Sequence, residues 1–133
     1  MSLIVDASVA VKWVAEEPGS AKARDLVGSG DRLLAPDIVL AEAGNALRKK
    51  LARRIIDRIQ AVNGVQTIER AFDELFPVRP LIHAAIRLAL DLNHPVYDCI
   101  YLALATREGL SVLTADERLF SVARSAGIEA RLL

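Results

Sequence analysis

The sequence predicts an α/β fold, a mainly parallel sheet with helices on both faces, and three observations carry that prediction. Leu3-Ile4-Val5 is an apolar run without alternation, as in a strand covered on both faces. Leu110-Ser111-Val112-Leu113 repeats the pattern near the other end of the chain. Between them, stretches of helical periodicity alternate with short strand-like runs, and parallel strands are joined by crossovers that are right-handed and usually helical. The 133 residues make one domain, 1–133, long enough to bury roughly two thirds of the unfolded surface.

Taken in order, the first strand ends on Asp6, and Val9 to Val14 forms a short helix. Pro18-Gly19-Ser20 opens another helix, which Gly28 closes. Arg32 to Ala35 is the second strand. Asp37 caps a helix from Ile38 to about Leu51, with Leu40, Ala43, Leu47 and Leu51 as its core stripe and Glu42, Asn45 and Lys49 beside it. A further helix runs from about Asp57 to Leu75, with a break near Asn63-Gly64. Phe76 to Arg79 is a third strand that Pro77 confines to an edge. Pro80 starts a helix to Leu92, with Leu81, Ala85, Leu88 and Leu92 facing inward, and Pro95 starts one that Gly109 terminates. That last helix is apolar nearly all round, so it must be covered on most sides. Leu110 to Leu113, Asp116 to Ser125 and Ile128 to Leu132 complete the chain as strand, helix and edge strand.

Composition narrows the function classes. Hydrophobic residues make up 53% and aromatic residues 5%, so the core is aliphatic. Lys plus Arg (17) equals Asp plus Glu (17), which removes any global attraction to nucleic acid or anionic membrane and leaves such binding to local patches or bound cations. The single Cys99 forms no internal disulfide and fits a reducing cytoplasm. Two histidines and one cysteine do not make a four-ligand zinc site in one subunit. No secretion signal is expected, and the longest run without a charged residue, ten residues from Ile59 to Ile68, is far short of the ~20 that span a bilayer.

The chemistry rests with four acids: Asp6 and Asp116 at strand ends, Glu42 beside a core stripe, and Asp98 in the apolar helix. The carboxyl edge of a parallel sheet is where ligands bind. If the helices carry Glu42 and Asp98 to that edge, the charges repel unless a cation joins them or some are protonated. No Lys or Arg stands inside these motifs, and an all-carboxylate set selects a hard divalent ion, Mg²⁺ or Mn²⁺. Such a site suits phosphodiester hydrolysis. Asp6 and Asp98 are expected as direct ligands, and Glu42 and Asp116 as direct or water-mediated ones. Ser8 and Thr114, each two residues from an acid, are placed to orient water or phosphate. Structural roles compete: Thr114-Ala115-Asp116-Glu117 also fits a capping box that leaves Asp116 as a first-turn acid, Asp6 also fits a turn with Ser8 capping, and Glu42 also fits a solvated pair with Lys49. Asp98 is hardest to explain this way, because a bare charge on an apolar helix is costly.

Leu3-Ile-Val-Asp6-Ala-Ser8, Glu42-Ala-Gly-Asn45-Ala-Leu-Arg48, Pro95-Val-Tyr-Asp98-Cys-Ile-Tyr-Leu-Ala-Leu-Ala105 and Leu113-Thr-Ala-Asp116-Glu-Arg118 together resemble the PIN-domain nucleases, above all the VapC toxins of toxin–antitoxin pairs. The resemblance covers essentially the whole chain. It implies a three-layer α/β/α sandwich, Mg²⁺- or Mn²⁺-dependent endoribonuclease activity, a homodimer and a VapB-like antitoxin that enters the acidic groove. It also implies that Asp6, Glu42, Asp98 and Asp116 form the acidic quartet, with Asn45 and Thr114 as accessory polar positions.

Arg48, Lys49 and Arg53 belong to a basic run that extends to Arg58 against one acid, Asp57. It suits an RNA backbone, an acidic antitoxin, the other subunit, or plain solvation. Trp13 and Tyr97 are expected in the core or an interface, Cys99 as a buried apolar residue, and His83 and His94 without a role. Competing functions are a non-catalytic Mg²⁺-binding regulatory module, a PIN nuclease of RNA processing without an antitoxin, and a phosphatase with Asp6 as nucleophile, which usually needs a second acid where this chain has Ser8.

Overall fold

A computed structural model describes residues Met1–Leu133. Five strands, β1 (Ser2–Val5), β2 (Arg32–Pro36), β3 (Glu74–Phe76), β4 (Ser111–Thr114) and β5 (Ala130–Leu132), form one sheet in the order β3-β2-β1-β4-β5. Every pairing is parallel, with Ile4 opposite Leu34 on one side and Val112 on the other. β1 is central, which explains its unbroken apolar run: Leu3, Ile4 and Val5 are all buried.

Helices α1 (Ala7–Val14), α2 (Ser20–Leu26), α3 (Ile38–Ala52) and α4 (Arg58–Ala71) pack together, and α5 (Ile82–Leu92) packs on α6 (Val96–Glu108). The chain moves outward from β1 through β2 to β3 and then returns to β4. With right-handed crossovers, α1 to α4 cover one face of the sheet, and α5, α6 and α7 (Glu117–Ser125) the other. The layers are those of an α/β/α sandwich. The connections leaving neighbouring strands β1 and β4 diverge, one toward β2 and the other toward β5, so a crevice opens between their carboxyl ends.

Several boundaries differ from the sequence expectation. Ala43 and Leu47 of α3 are buried as expected, but Val39 is buried in place of Leu40, and Leu40 and Leu51 are only partly covered. Asp37 stands at the start of α3 but its side chain makes no capping bond. The expected break at Asn63-Gly64 is absent. Gly64 is buried inside continuous α4, where a Cβ would lie 3.0 Å from Leu47 Cδ1 and 3.3 Å from Val14 Cγ2. Glycine there serves close packing of α4 on α1 and α3, not a bend. α4 starts at a capping box, Gln60 N–H to Asp57 Oδ1 at 2.7 Å and Asp57 N–H to Gln60 Oε1 at 2.8 Å. The third strand lies two residues earlier than expected and does occupy an edge. α6 ends as expected at Gly109, which takes the left-handed conformation at φ 66°.

Candidate active site

Asp6 follows β1 directly, and its backbone N–H donates to Leu113 O of β4 at 3.2 Å, which ties the acid to the crevice. Its carboxylate does not cap α1. Instead it accepts Ser8 Oγ–H at 2.6 Å on Oδ1 and Thr114 Oγ1–H at 2.9 Å on Oδ2. Burial pushes its pKa up to about 6 against these two hydroxyls, and the charge of Asp98 adds to the rise. Ser8 also accepts the Ala115 N–H at 2.9 Å, so one small hydroxyl network stitches β1 to the end of β4. Thr114 is fully buried, which corrects its expected role: it holds Asp6 and does not face water or phosphate. Ser8 is half-buried and reaches the cleft surface.

Asp98 sits in the first turn of α6, where the helix dipole favours a negative charge. His94, one turn earlier and with its side chain 2% exposed, bonds Asp98 Oδ2 through Nε2 at 2.7 Å. The histidine expected to have no role therefore orients an acid of the site. Glu42 projects from α3 and accepts the Tyr101 hydroxyl of α6 at 2.7 Å, so the two helical layers meet at the sheet edge through this bond. Glu42 does not pair with Lys49. Burial raises the Glu42 pKa, the Tyr101 hydroxyl opposes the rise and the Asp98 charge reinforces it. The Tyr101 hydroxyl is pushed well above its ordinary range by burial and by the charges of Glu42, Asp6 and Asp98. One phenol thus feels three carboxylates, which places Asp6, Glu42 and Asp98 in one electrostatic neighbourhood.

None of the chain's ion pairs brings a Lys or Arg to Asp6, Glu42, Asp98 or Asp116. The donor set is all oxygen and repels itself, which fits a hard divalent cation in kind and in charge. No three acid, His or Cys side chains already converge on one ion position. Asp6, Glu42 and Asp98 are each hydrogen-bonded to a hydroxyl or an imidazole of their own.

Asp116 is the N-cap of α7: its Oδ1 accepts the N–H of Arg118 at 2.8 Å and of Leu119 at 3.4 Å. Thr114, expected as that cap, instead accepts the Asp116 N–H at 3.0 Å. Asp116 still lines a cleft of about 420 Å³ together with Ser8, Glu42, Lys12 and Glu17. Lys12 stands outside the acidic motifs, as the sequence has it, but the fold brings it to the same cleft. Its ammonium reaches the Pro18 carbonyl at 2.9 Å and Glu17 at 3.3 Å, and Lys50 approaches Glu17 from the other side at 2.8 Å. Burial would raise the Glu17 pKa, but the two ammonium groups outweigh it and hold it below the usual range. Helical spacing offered the signal for Lys12, which follows Ser8 by four residues.

Asn45 is exposed and its carbonyl oxygen accepts the Arg48 Nε–H at 3.0 Å, so it orients Arg48 and makes no bond to the acids. Arg48, Lys49 and Arg53 are exposed and make no ion pair within the chain. Trp13 is buried, tilted against Phe72 with ring centroids 5.2 Å apart and donating to Ala23 O at 2.9 Å. Cys99 is buried as expected, whereas Tyr97 is 60% exposed.

The PIN-domain family model matches residues 3–125. Among curated proteins, Ribonuclease VapC3 of Pyrobaculum aerophilum is 31% identical over 90% of this chain and 92% of its own length. Ribonuclease VapC9 of Mycobacterium tuberculosis is 33% identical over 88% of this chain and 87% of its own. The crystal structure of VapBC2 of Rickettsia felis bound to a fragment of its promoter DNA superposes with a TM-score of 0.73 at 13% identity, over 100% of this chain and 99% of that one. A family match over nearly the whole chain, relatives above 30% identity and the shared fold agree: the chain belongs to the PIN-domain family, in its VapC branch.

Proposed function

We propose that the protein is a Mg²⁺- or Mn²⁺-dependent endoribonuclease, the toxin of a type II toxin–antitoxin pair. The observation that carries this is the meeting of Asp6, Glu42 and Asp98 at the carboxyl edge of the sheet, none of them in an ion pair with a Lys or Arg. The ribonuclease names of the VapC relatives give the substrate class.

Asp6, Glu42 and Asp98 would hold the cation, and Asp116, with one oxygen committed to α7, would act from the cleft wall. When bound, the ion acidifies water and polarises a phosphodiester oxygen. Ser8 and Thr114 fix the Asp6 carboxylate so that it need not reorganise. Lys12 supplies positive charge at the same cleft, and Arg48, Lys49 and Arg53 offer contacts to an RNA backbone further along α3.

A VapB-like antitoxin is the proposed partner, consistent with the VapBC2 assembly of the Rickettsia neighbour. Arg48 and Arg58 flank a groove between α3 and α4 that includes Val62, a basic and apolar surface suited to an acidic, amphipathic segment. A homodimer is proposed through α5, where Ile82, Ile86 and Leu90 form an exposed stripe at i, i+4 and i+8. No helix is long and apolar enough to cross a membrane, and a cytoplasmic site of action is proposed with the RNA substrate.

The test is cleavage of total RNA by antitoxin-free protein with and without Mn²⁺ or Mg²⁺, beside Asp98→Asn. Metal-dependent cutting that falls at least 100-fold in the variant is expected. Equal cutting by Asp98→Asn, or cutting undiminished by a chelator, would remove the proposal.

A further inference from the structure

Tyr101 has no place in the acidic quartet, yet it is the residue most bound up with it. It is 1% exposed, its ring lies in the core among α6 neighbours that are all buried, and its only polar atom donates to Glu42 Oε1 at 2.7 Å. Asp98 lies three residues earlier on the same helix, so Tyr101 and Asp98 share a face of α6. Glu42 comes from the other helical layer and has no other hydrogen-bond partner. Without Tyr101, a half-buried carboxylate beside the charge of Asp98 has every reason to turn to solvent.

We infer that Tyr101 is a positioning residue that holds Glu42 at the shared acidic site through its hydroxyl, and so sets the affinity of that site for a divalent cation. The inference rests on the nuclease reading of the site. The hydroxyl occupies one oxygen of Glu42 and leaves the other free to ligate, an arrangement that orients a ligand without competing for it. The single hydrogen bond of this buried phenol goes to Glu42, and an O–H left unbonded in the core is costly, so the bond favours one position of the donor. The surrounding packing fixes the ring, so the donor's position is set by the fold and not by the ion. Phenylalanine would fill the core equally well, so a purely structural role needs only the ring, whereas positioning needs the oxygen.

The experiment is Mn²⁺ titration by calorimetry of the full-length chain, as wild type, Tyr101→Phe, Glu42→Ala and the double variant, with thermal melting of each. Tyr101→Phe is expected to weaken Mn²⁺ binding about tenfold, within the range typical for residues that orient metal ligands. Glu42→Ala should also weaken binding, and adding Tyr101→Phe to it should change nothing further, since the tyrosine acts through Glu42. Wild-type affinity in Tyr101→Phe would overturn the inference and leave the nuclease proposal standing. An equal loss in the presence and absence of Glu42 would overturn it too, by showing a structural effect on the whole site. A wild-type chain that binds no Mn²⁺ would remove the nuclease proposal and this inference with it.

Discussion

Asp6 is a carboxylate forced into a place where charge is costly. Its pKa of about 6 lies above the ordinary 3.8, chiefly through burial. An acid with a raised folded-state pKa stabilises the fold when protonated, below its unfolded value, and that stability is lost as pH rises through the folded value. The shift corresponds to at most about 3 kcal/mol at neutral pH. Metal-free wild type should therefore become more stable from pH 7.5 down to pH 5, and Asp6→Asn should melt higher than wild type at pH 7.5, with the difference closing near pH 4. Melting curves in chelator at several pH values check this, and a lower melting point for Asp6→Asn at pH 7.5 would contradict it.

Asp116 separates two roles within one side chain. Asparagine caps helices as well as aspartate does, whereas alanine does not cap. Asp116→Asn should keep the melting temperature and lose RNA cleavage if the carboxylate serves the cleft, while Asp116→Ala should also lose about 1 kcal/mol of stability. Unchanged cleavage by Asp116→Asn would leave the residue as a cap alone. The places of the four acids, Asp6 and Asp116 after apolar strands, Glu42 beside a core stripe and Asp98 in an apolar helix, could be read from the sequence. Thr114 was legible as an accessory position, but its partner was not, because its bond to Asp6 spans 108 positions and that of Tyr101 to Glu42 spans 59, distances that no local pattern encodes. His94 precedes Asp98 by four residues, a spacing that the sequence did offer.

At the scale of elements, the sequence announces helices through periodicity and punctuation, and errors arise where one residue has two physical uses. Gly64 looks like a helix breaker but is a packing residue, and only the approach of Leu47 and Val14 distinguishes the two. Gly64→Leu is expected to destabilise the protein by roughly 2–3 kcal/mol through overpacking, measured by chemical denaturation. A neutral or stabilising effect would mean that α4 is free to move away from α1 and α3. The burial of Val39 in place of Leu40 on α3 has a similar origin. Leu40 and Val39 are equally apolar, and the choice between them depends on how α3 sits against β2 and α1, which the helix period alone leaves open.

At the scale of the molecule, the parallel sheet was readable because Leu3-Ile4-Val5 and Ser111-Val112-Leu113 carry no polar alternation. The order β3-β2-β1-β4-β5 was not, since several strand orders satisfy the same apolar runs. That order is what creates the crevice between β1 and β4 and joins Asp6 to the Thr114-Asp116 turn. The surface adds a separate expectation. With 17 basic and 17 acidic residues, the molecule relies on local features for association, and Ile82, Ile86 and Leu90 form one on α5. Ile86→Glu should convert the proposed dimer to a monomer in sedimentation analysis without altering Mn²⁺ binding. A wild-type chain that sediments as a monomer would dismiss this use of α5.

The central claim is that Asp6, Glu42 and Asp98 share one cation at the carboxyl edge of the sheet. Anomalous diffraction from crystals grown with Mn²⁺ tests it most directly. The account predicts an anomalous peak within coordination distance of carboxylate oxygens from all three residues, with the Tyr101–Glu42 hydrogen bond retained. No peak at the crevice, or a peak held without Asp6 and Asp98, would contradict it.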